Sequence, residues 1–332
     1  MISIVSTFVL LIKDERRNKK QLFYGMLAVV FILFLTSYLL TSRFENKDDK
    51  LTVSIIQTEN PVKVFYEPDE LLKEVAKNSD IVVFPESANF SKTLSGFLDT
   101  ISSKKYFNNL SEENVLIIDS NRVSEQGSLK SKTVFIDSRD GVVNFYDKQL
   151  LTPGGETVPY LATLPLLLVR YFWDNDFIPS QAGFAKGNGS NVITYGNNKI
   201  KTLVCSDITS PNLSRGEEYG LIINQNSMGV FDGNQQIERQ LLSMAGFRAA
   251  ENRKYLIISS NIGRSYVINP LGNMVSSTDS SGYKILTADI VPNKQRTWYN
   301  KLGDWPILLL SLVIFGLGLV KLRNANQDKN FL

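Results

Sequence analysis

The chain has 332 residues, 43% hydrophobic and 21% charged, which excludes wholesale disorder and allows two modest domains or one large domain with attachments. Its 36 Lys and Arg against 33 Asp and Glu leave a net charge of +3, too balanced for a general nucleic-acid binder. Histidine is absent and cysteine occurs once, at Cys205, which removes serine–histidine and cysteine–histidine mechanisms, histidine-ligated metals, internal disulfides and cysteine-rich metal clusters.

In chain order, residues 1–20 read as a cytoplasmic N-terminal segment. Residues 2–12 are apolar but too short to cross a bilayer, and 13–20 carry five basic residues against two acidic ones. Residues 21–41 contain no charge; at 1.5 Å per residue they cover roughly 30 Å, the thickness of a bilayer core, and predict a transmembrane helix. The run is longer than the apolar core of a signal peptide and no small-residue cleavage site follows it, so an uncleaved anchor is the better description. Residues 43–50 carry three charges of each sign. Basic flanks stay in the cytoplasm, so residues 42–304 are expected outside it.

Within 42–304, β-rich runs at 51–58, 80–84, 115–119, 133–137, 201–205, 221–224, 255–259 and 284–288 predict strands. Helical periodicity covers 67–78 and 235–252. Alternating strands and helices predict a layered α/β fold. Asn269-Pro270-Leu271-Gly272 predicts a turn. Residues 160–172 carry a single charge and read either as a buried helix or as an apolar arm resting on lipid. Residues 305–320 predict a second span, a little short, that crosses if Lys321 and Arg323 snorkel and Trp305 lies in the interface. Residues 321–332 then form a cytoplasmic tail.

Covalent chemistry is left to carboxylates, lysines, hydroxyls and one thiol. Cys205 ends an apolar strand; taken alone, such a cysteine is more often a small buried hydrophobe. A nucleophilic thiol needs a base and an oxyanion stabiliser, and without histidine the base is a carboxylate or an amine. Glu86 follows Ile81-Val82-Val83-Phe84-Pro85 at a strand's carboxyl end, where α/β folds gather their sites. Lys148 precedes Thr152-Pro153-Gly154-Gly155-Glu156. Each of the two, alone, reads as a surface residue.

Together and in this order the three resemble the nitrilase (carbon–nitrogen hydrolase) superfamily. The resemblance rests on Phe84-Pro85-Glu86-Ser87-Ala88, Tyr146-Asp147-Lys148 and Val204-Cys205, then on Phe247-Arg248-Ala249-Ala250-Glu251-Asn252-Arg253, Ser260-Asn261-Ile262-Gly263 and Ile268-Asn269-Pro270-Leu271-Gly272. It implies an αββα sandwich, here flanked by transmembrane helices, with a Glu86–Lys148–Cys205 triad. Glu156 is implied as a second glutamate positioning the lysine, and Ser206 as a supporting neighbour of the nucleophile. No metal or organic cofactor is implied. Within the superfamily, the loop 151–159 and the exit from Thr297 to Trp305 are similar to the apolipoprotein N-acyltransferase family of membrane enzymes.

That resemblance implies transfer of an acyl chain from a phospholipid donor, through a Cys205 thioester, to the α-amine of a lipoprotein's diacylglyceryl-cysteine. The protein would sit in the cell (plasma or inner) membrane with its catalytic domain outside the cytoplasm, and a separate membrane subunit is a further expected partner. Two departures bear on substrate binding. Ser206-Asp207 stands where the family commonly has Tyr-Glu, and Asn226-Ser227-Met228-Gly229-Val230-Phe231 lacks the usual acid and tryptophan. A membrane-anchored amidase and a non-catalytic membrane scaffold are the alternative readings.

Overall fold

The computed structural model describes residues 50–59, 74–91, 114–159, 165, 183–279 and 282–329. The chain divides into two units, residues 46–300, and residues 1–45 together with 301–332.

The larger unit is built on two mixed sheets of six strands each. The first contains β1 (Leu51–Gln57), β2 (Ile81–Val83), β3 (Leu116–Glu125), β4 (Ser128–Asp137), β5 (Gly141–Asp147) and the late strand β12 (Lys284–Ile290), in the order β12-β1-β2-β3-β4-β5. The second contains β6 (Val192–Tyr195), β7 (Asn198–Val204), β8 (Leu221–Ser227), β9 (Tyr255–Asn261), β10 (Tyr266–Ile268) and β11 (Met274–Ser277), in the order β11-β10-β9-β8-β7-β6. Both sheets repeat one pattern of pairings. An antiparallel pair leads into two parallel ones, β1-β2-β3 in one sheet and β7-β8-β9 in the other, and two antiparallel pairs close the series. The parallel centre explains why the middle strands are apolar on both faces.

Strand periodicity sorts the side chains into layers. Val53 and Ile55 of β1, with Ile81 and Val83 of β2, meet Ile200, Val204, Leu221, Ile223 and Ile257 of the other sheet in the central core. The intervening residues face outward: Ile56 and Val82 pack with Val75, Ala76 and Phe84 on the first sheet's outer face. On the second sheet, Leu203, Ile222, Leu256 and Ile258 pack against Ala245 and Ala249 of a long helix. A fully buried Val or Ile side chain contributes about 1.5–3 kcal/mol, so the three apolar layers are the main source of stability.

The short helix α1 (Pro211–Ser214) precedes that long helix, α2 (Gln235–Asn252). The Asn234 side chain accepts from the Gln236 and Ile237 amides at the start of α2, and Arg253 ends it in the left-handed region at φ 55°. Two further helices follow, α3 (Trp298–Leu302) and α4 (Trp305–Lys329).

The expected helix at 235–252 matches α2, and the expected turn closes with a Gly272 N–H to Asn269 carbonyl bond of 2.9 Å. Eight expected strands are present, but β3 and β4 are about twice their expected length. Their extension is a polar hairpin turned at Gln126 (φ 52°) and Gly127 (φ 80°), a primed turn whose twist suits paired strands. The strands β5, β6, β10 and β11 were not expected. Three of them are edge or near-edge strands too short or too polar to give a period-2 signal.

Of the expected helix at 67–78, Glu74–Ala76 is helical and the earlier residues lie outside the described ones. The expected span at 21–41 lies outside the described residues, as does the apolar stretch 160–172 apart from Pro165. Residues 305–320 are helical within α4, and Leu308, Leu309, Leu310 and Leu312 are exposed. Among the described residues, however, no helix is long and apolar enough to cross a membrane. The physical reason at α4 is length: its uncharged run of sixteen residues, 305–320, rises about 24 Å at 1.5 Å each, short of a ~30 Å bilayer core.

Candidate active site

The carboxyl ends of β2, β7 and β8 and the loop after β5 converge at one end of the sandwich, as sites of parallel α/β sheets do. Glu86 leaves β2 through Phe84 and Pro85. Its N–H donates to the Asn226 carbonyl at 3.3 Å, and its own carbonyl accepts from Asn261 Nδ2 at 2.6 Å. Ser87 and Asn89 take φ values of 59° and 54°, bending the chain sharply so that the carboxylate turns inward and is buried. Ser131 Oγ donates to Glu86 Oε1 at 3.5 Å.

Lys148 is reached from β5. Its N–H donates to the Ser131 carbonyl at 2.9 Å and its carbonyl accepts from the Gly187 N–H at 2.8 Å. A Cβ at Gly187 would lie 2.2 Å from the Asp147 carbonyl oxygen, so only glycine lets the two segments approach this closely. The ammonium is 1% exposed and lies 3.2 Å from Glu86 Oε1 and 2.9 Å from Glu156 Oε1. Glu156 is oriented by its loop: its other oxygen accepts the Thr152 N–H at 2.8 Å.

Cys205 follows directly on the last residue of β7 and has φ 49°, a strained left-handed conformation for a non-glycine residue. Asp207 holds this elbow. Its carboxylate accepts from the Val204 N–H at 3.0 Å, the Tyr146 hydroxyl at 2.8 Å, and the Gln149 and Leu150 N–H groups at 3.2 and 2.7 Å. The thiol end of β7 and the segment after Lys148 are thus tied to one side chain. Ser206 adds a second tie, donating to the Leu150 carbonyl and accepting from Thr152 Oγ1 at 3.1 Å.

The electrostatics follow from this burial. The Cys205 thiol is pushed up to about 12, chiefly by desolvation and by the Glu86 charge; Lys148 and a hydrogen bond from the Ser227 N–H pull the other way. Burial also works against a charged Lys148, but a thiolate at Cys205 and the carboxylates Glu86 and Glu156 outweigh it and hold the amine above its usual value. Desolvation raises Asp207 despite its four donors. The site therefore rests with a protonated thiol, and a thiolate there has a fixed cation waiting for it.

The structure brings together Glu86, Lys148, Glu156, Cys205 and Ser206, all read from sequence. Sequence reasoning assigned no role to Asp207, Ser131, Ser227 or Asn261. One signal was available: Asn224-Gln225-Asn226-Ser227 is four polar residues running straight on from an apolar strand, and all four are buried. Gln225 bridges the sheets, accepting from Thr133 Oγ1 at 2.6 Å and donating to the Phe84 carbonyl at 2.7 Å. A cavity of about 310 Å³ opens elsewhere, lined by Gln57, Thr58, Glu238, Ile262 and Arg264 among others. It does not include Cys205, and the charged groups Glu86, Lys148 and Glu156 converge away from it. Among the described residues no group of three or more His, Cys, Asp or Glu is arranged to hold a metal ion.

The carbon-nitrogen hydrolase family profile matches residues 57–300. The chain belongs to the carbon-nitrogen hydrolase family. Distant homologues across most of its length are apolipoprotein N-acyltransferases. One from Synechocystis sp. is 22% identical over 91% of this chain and 59% of its own length. One from Agrobacterium fabrum is 28% identical over 76% of this chain and 50% of its own. The chain thus spans between half and three-fifths of these relatives.

Solved structures of the family share the fold. An amidase mutant from Nesterenkonia sp. AN1, with acrylamide added at its active-site cysteine, superposes with a TM-score of 0.53 at 14% identity over 73% of this chain and 93% of its own. A CN-hydrolase superfamily protein from Xanthomonas campestris, with an arsenic adduct in its active site, gives 0.52 at 16% identity over 73% and 91%.

Proposed function

We propose that this chain is a membrane N-acyltransferase that moves an acyl chain from a phospholipid, through a thioester at Cys205, to the α-amine of a lipoprotein's N-terminal diacylglyceryl-cysteine. The observation that carries the reading is the Lys148 ammonium, buried between Glu86 and Glu156 beside the chain's one thiol. A buried cation flanked by two carboxylates is an expensive arrangement for stability alone and an apt one for a reaction that develops negative charge. The distant homologues support the acyl-transfer branch.

In this mechanism Glu86 takes the thiol proton as the sulfur attacks the donor's acyl carbonyl. Proton transfer neutralises the charge that holds the thiol up, and Lys148 stabilises the sulfur anion, so the two events assist each other. Lys148 then faces the tetrahedral oxyanion. As that intermediate collapses, the ester C–O bond breaks, Glu86 returns its proton to the leaving alcohol, and the acyl group remains as a thioester. The acceptor amine attacks next, Glu86 removes its proton, the C–S bond breaks, and the thiol is restored with an amide formed. Glu156 holds Lys148 throughout, and Asp207 with Ser206 holds the elbow.

The membrane setting is part of the proposal. The uncharged run at 21–41 anchors the chain, α4 presents exposed leucines to lipid, and the basic flank at 13–20 keeps the N-terminus cytoplasmic, leaving the sandwich outside at the bilayer surface. An acyl chain reaches the thiol only if the site opens there. Intact mass after incubation with phospholipid vesicles tests the first half-reaction. The expected result is one added acyl group, lost on treatment with hydroxylamine and absent from Cys205→Ser; a mass that never changes would overturn it.

A further inference from the structure

We infer that the cavity at the carboxyl ends of β1 and β9 binds the stretch of peptide main chain that follows the acceptor's cysteine. The inference rests on the reading of Cys205 as the acyl carrier and says where the tail of its acceptor lies.

The cavity belongs to the same end of the sandwich as the thiol. β1 runs parallel to β2, which leads to Glu86, and β9 runs parallel to β8 and β7, which leads to Cys205. The two sheets join where these strands end: the Thr58 N–H donates to the Ser260 carbonyl at 3.3 Å, and the Ile262 N–H donates to the Thr58 carbonyl at 3.0 Å. From this join Asn261 Nδ2 reaches the Glu86 carbonyl at 2.6 Å, while Thr58 and Ile262 line the cavity. Ile262 also meets the 226–231 segment, since a Cβ at Gly229 would lie 3.3 Å from its Cδ1.

Part of the lining is committed to the frame. Gln57 Oε1 accepts from the Ser265 N–H at 3.0 Å and its Nε2 donates to the Gly282 carbonyl at 3.1 Å. Glu238 accepts from the Arg264 N–H at 2.9 Å and the Tyr266 hydroxyl at 2.8 Å. Two polar groups of the lining residues remain. Thr58 is 8% exposed, and its Oγ1 is buried without a hydrogen-bond partner, as is Arg264 Nε. Buried donors left without an acceptor are costly, and a ligand that supplies carbonyl oxygens removes that cost.

Charge selects the class of ligand. One arginine stands against two glutamates, Glu59 and Glu238, which sets the cavity against a phosphate or carboxylate. An uncharged run of amides suits it: carbonyls accept from Thr58 and Arg264, and N–H groups donate to the glutamates. At about 310 Å³ the cavity is at the small end of ligand pockets, roughly 300–1,000 Å³, room for a short extended segment.

Two acceptors test this, a diacylglyceryl-cysteine amide with no further residue and the same lipid amino acid followed by Ser-Gly-Asn-Gly. The full chain, supplied with labelled phospholipid, is expected to show a KM for the tailed acceptor about tenfold below that for the tailless one. Thr58→Val removes the hydroxyl at nearly constant shape and should raise the tailed KM about fivefold; Arg264→Met should raise it about twentyfold. The rise should be confined to the tailed acceptor, with kcat held. A merely structural role would appear as a lowered Tm with the ratio of the two KM values unmoved, and that result would overturn the inference. Equal KM values for the two acceptors in wild type would also overturn it, as would variants that instead slow acyl uptake from phospholipid vesicles, which would assign the cavity to the donor's headgroup. Equilibrium dialysis with radiolabelled acetyl-Ser-Gly-Asn-Gly-amide needs neither donor nor thioester. Saturable binding that weakens in both variants, in a protein that never takes up an acyl group, would sink the transfer reading and leave the peptide site standing. Normal transfer without any binding of the peptide would do the reverse.

Discussion

Lys148 Nζ lies 3.2 Å from Glu86 Oε1, with the two side chains 1% and 4% exposed. So complete a removal from water makes the pair a liability once either partner is lost, because removing one side of a buried ion pair costs about 3–5 kcal/mol. Lys148→Ala is therefore expected to abolish turnover and also to lower the unfolding free energy by about that amount, since Glu86 and Glu156 are left without their cation. Adding Glu156→Gln to that variant should return part of the stability and none of the activity. Denaturant unfolding with parallel assays checks both.

Glu86 and Lys148 act on the thiol with opposite signs. The Glu86 charge raises the Cys205 thiol and the Lys148 charge lowers it, so at fixed pH Glu86→Gln should speed alkylation of Cys205 and Lys148→Met should slow it. Both variants should lack turnover. If the two variants shifted alkylation in the same direction, the electrostatic account of the site would be wrong.

How much of this was legible in the sequence depends on where each residue takes its partners. Val53, Ile55, Ile81 and Val83 alternate along their own strands, so the central core could be read from local pattern. Glu86, Lys148 and Cys205 are 62 and 57 residues apart in turn, and only the order of their motifs joined them. Asp207 escaped because most of its partners are tertiary, with Tyr146 and Leu150 more than fifty residues away. Asn261 escaped likewise: nothing in Ser260-Asn261-Ile262-Gly263 indicates that its amide reaches Glu86. The edge strand β11 is mostly exposed, so no buried face marked it.

At the amino ends of β8 and β9, away from the thiol, two buried lysines flank the Tyr219 ring, with Lys201 Nζ 5.0 Å and Lys254 Nζ 5.5 Å from its centroid. Lys201 donates to Asn191 Oδ1 and the Leu213 and Arg215 carbonyls, and Lys254 to the Asn293 and Gln295 carbonyls. Burial pulls both lysines down to about 8, partly offset by Glu217 and Glu218 respectively. Between pH 8 and about 10.5 the unfolded chain then binds more protons at these sites than the folded one, so their contribution to stability rises with pH. Relative to Lys201→Met or Lys254→Met, the wild type should gain about 2 kcal/mol by pH 10 for each lysine. Taking this difference cancels the opposing contribution of Cys205, whose raised pKa costs stability above pH 9. Urea unfolding of wild type and variants at pH 7.5 and pH 10 measures it, and a difference independent of pH would refute it.

Orientation is open to a direct test. A protease-cleavable tag inserted at the exposed hairpin turn Gln126–Gly127 should be cut by protease added outside intact spheroplasts. Protection until the membrane is broken would place the sandwich in the cytoplasm, away from any exported lipoprotein.

The central claim is transfer to an amine, and a thioester at Cys205 is open to both amine and water. The loss of the usual acid and tryptophan from 226–231 leaves acceptor positioning as the step where hydrolysis would compete. The decisive measurement loads the protein with acyl-labelled phospholipid, then adds a diacylglyceryl-cysteine peptide with a free α-amine. Label passing into an amide on the peptide, at a rate that depends on peptide concentration and vanishes in Cys205→Ser, is the predicted result. Release of free fatty acid at one rate with or without peptide would contradict it and make the protein a membrane hydrolase.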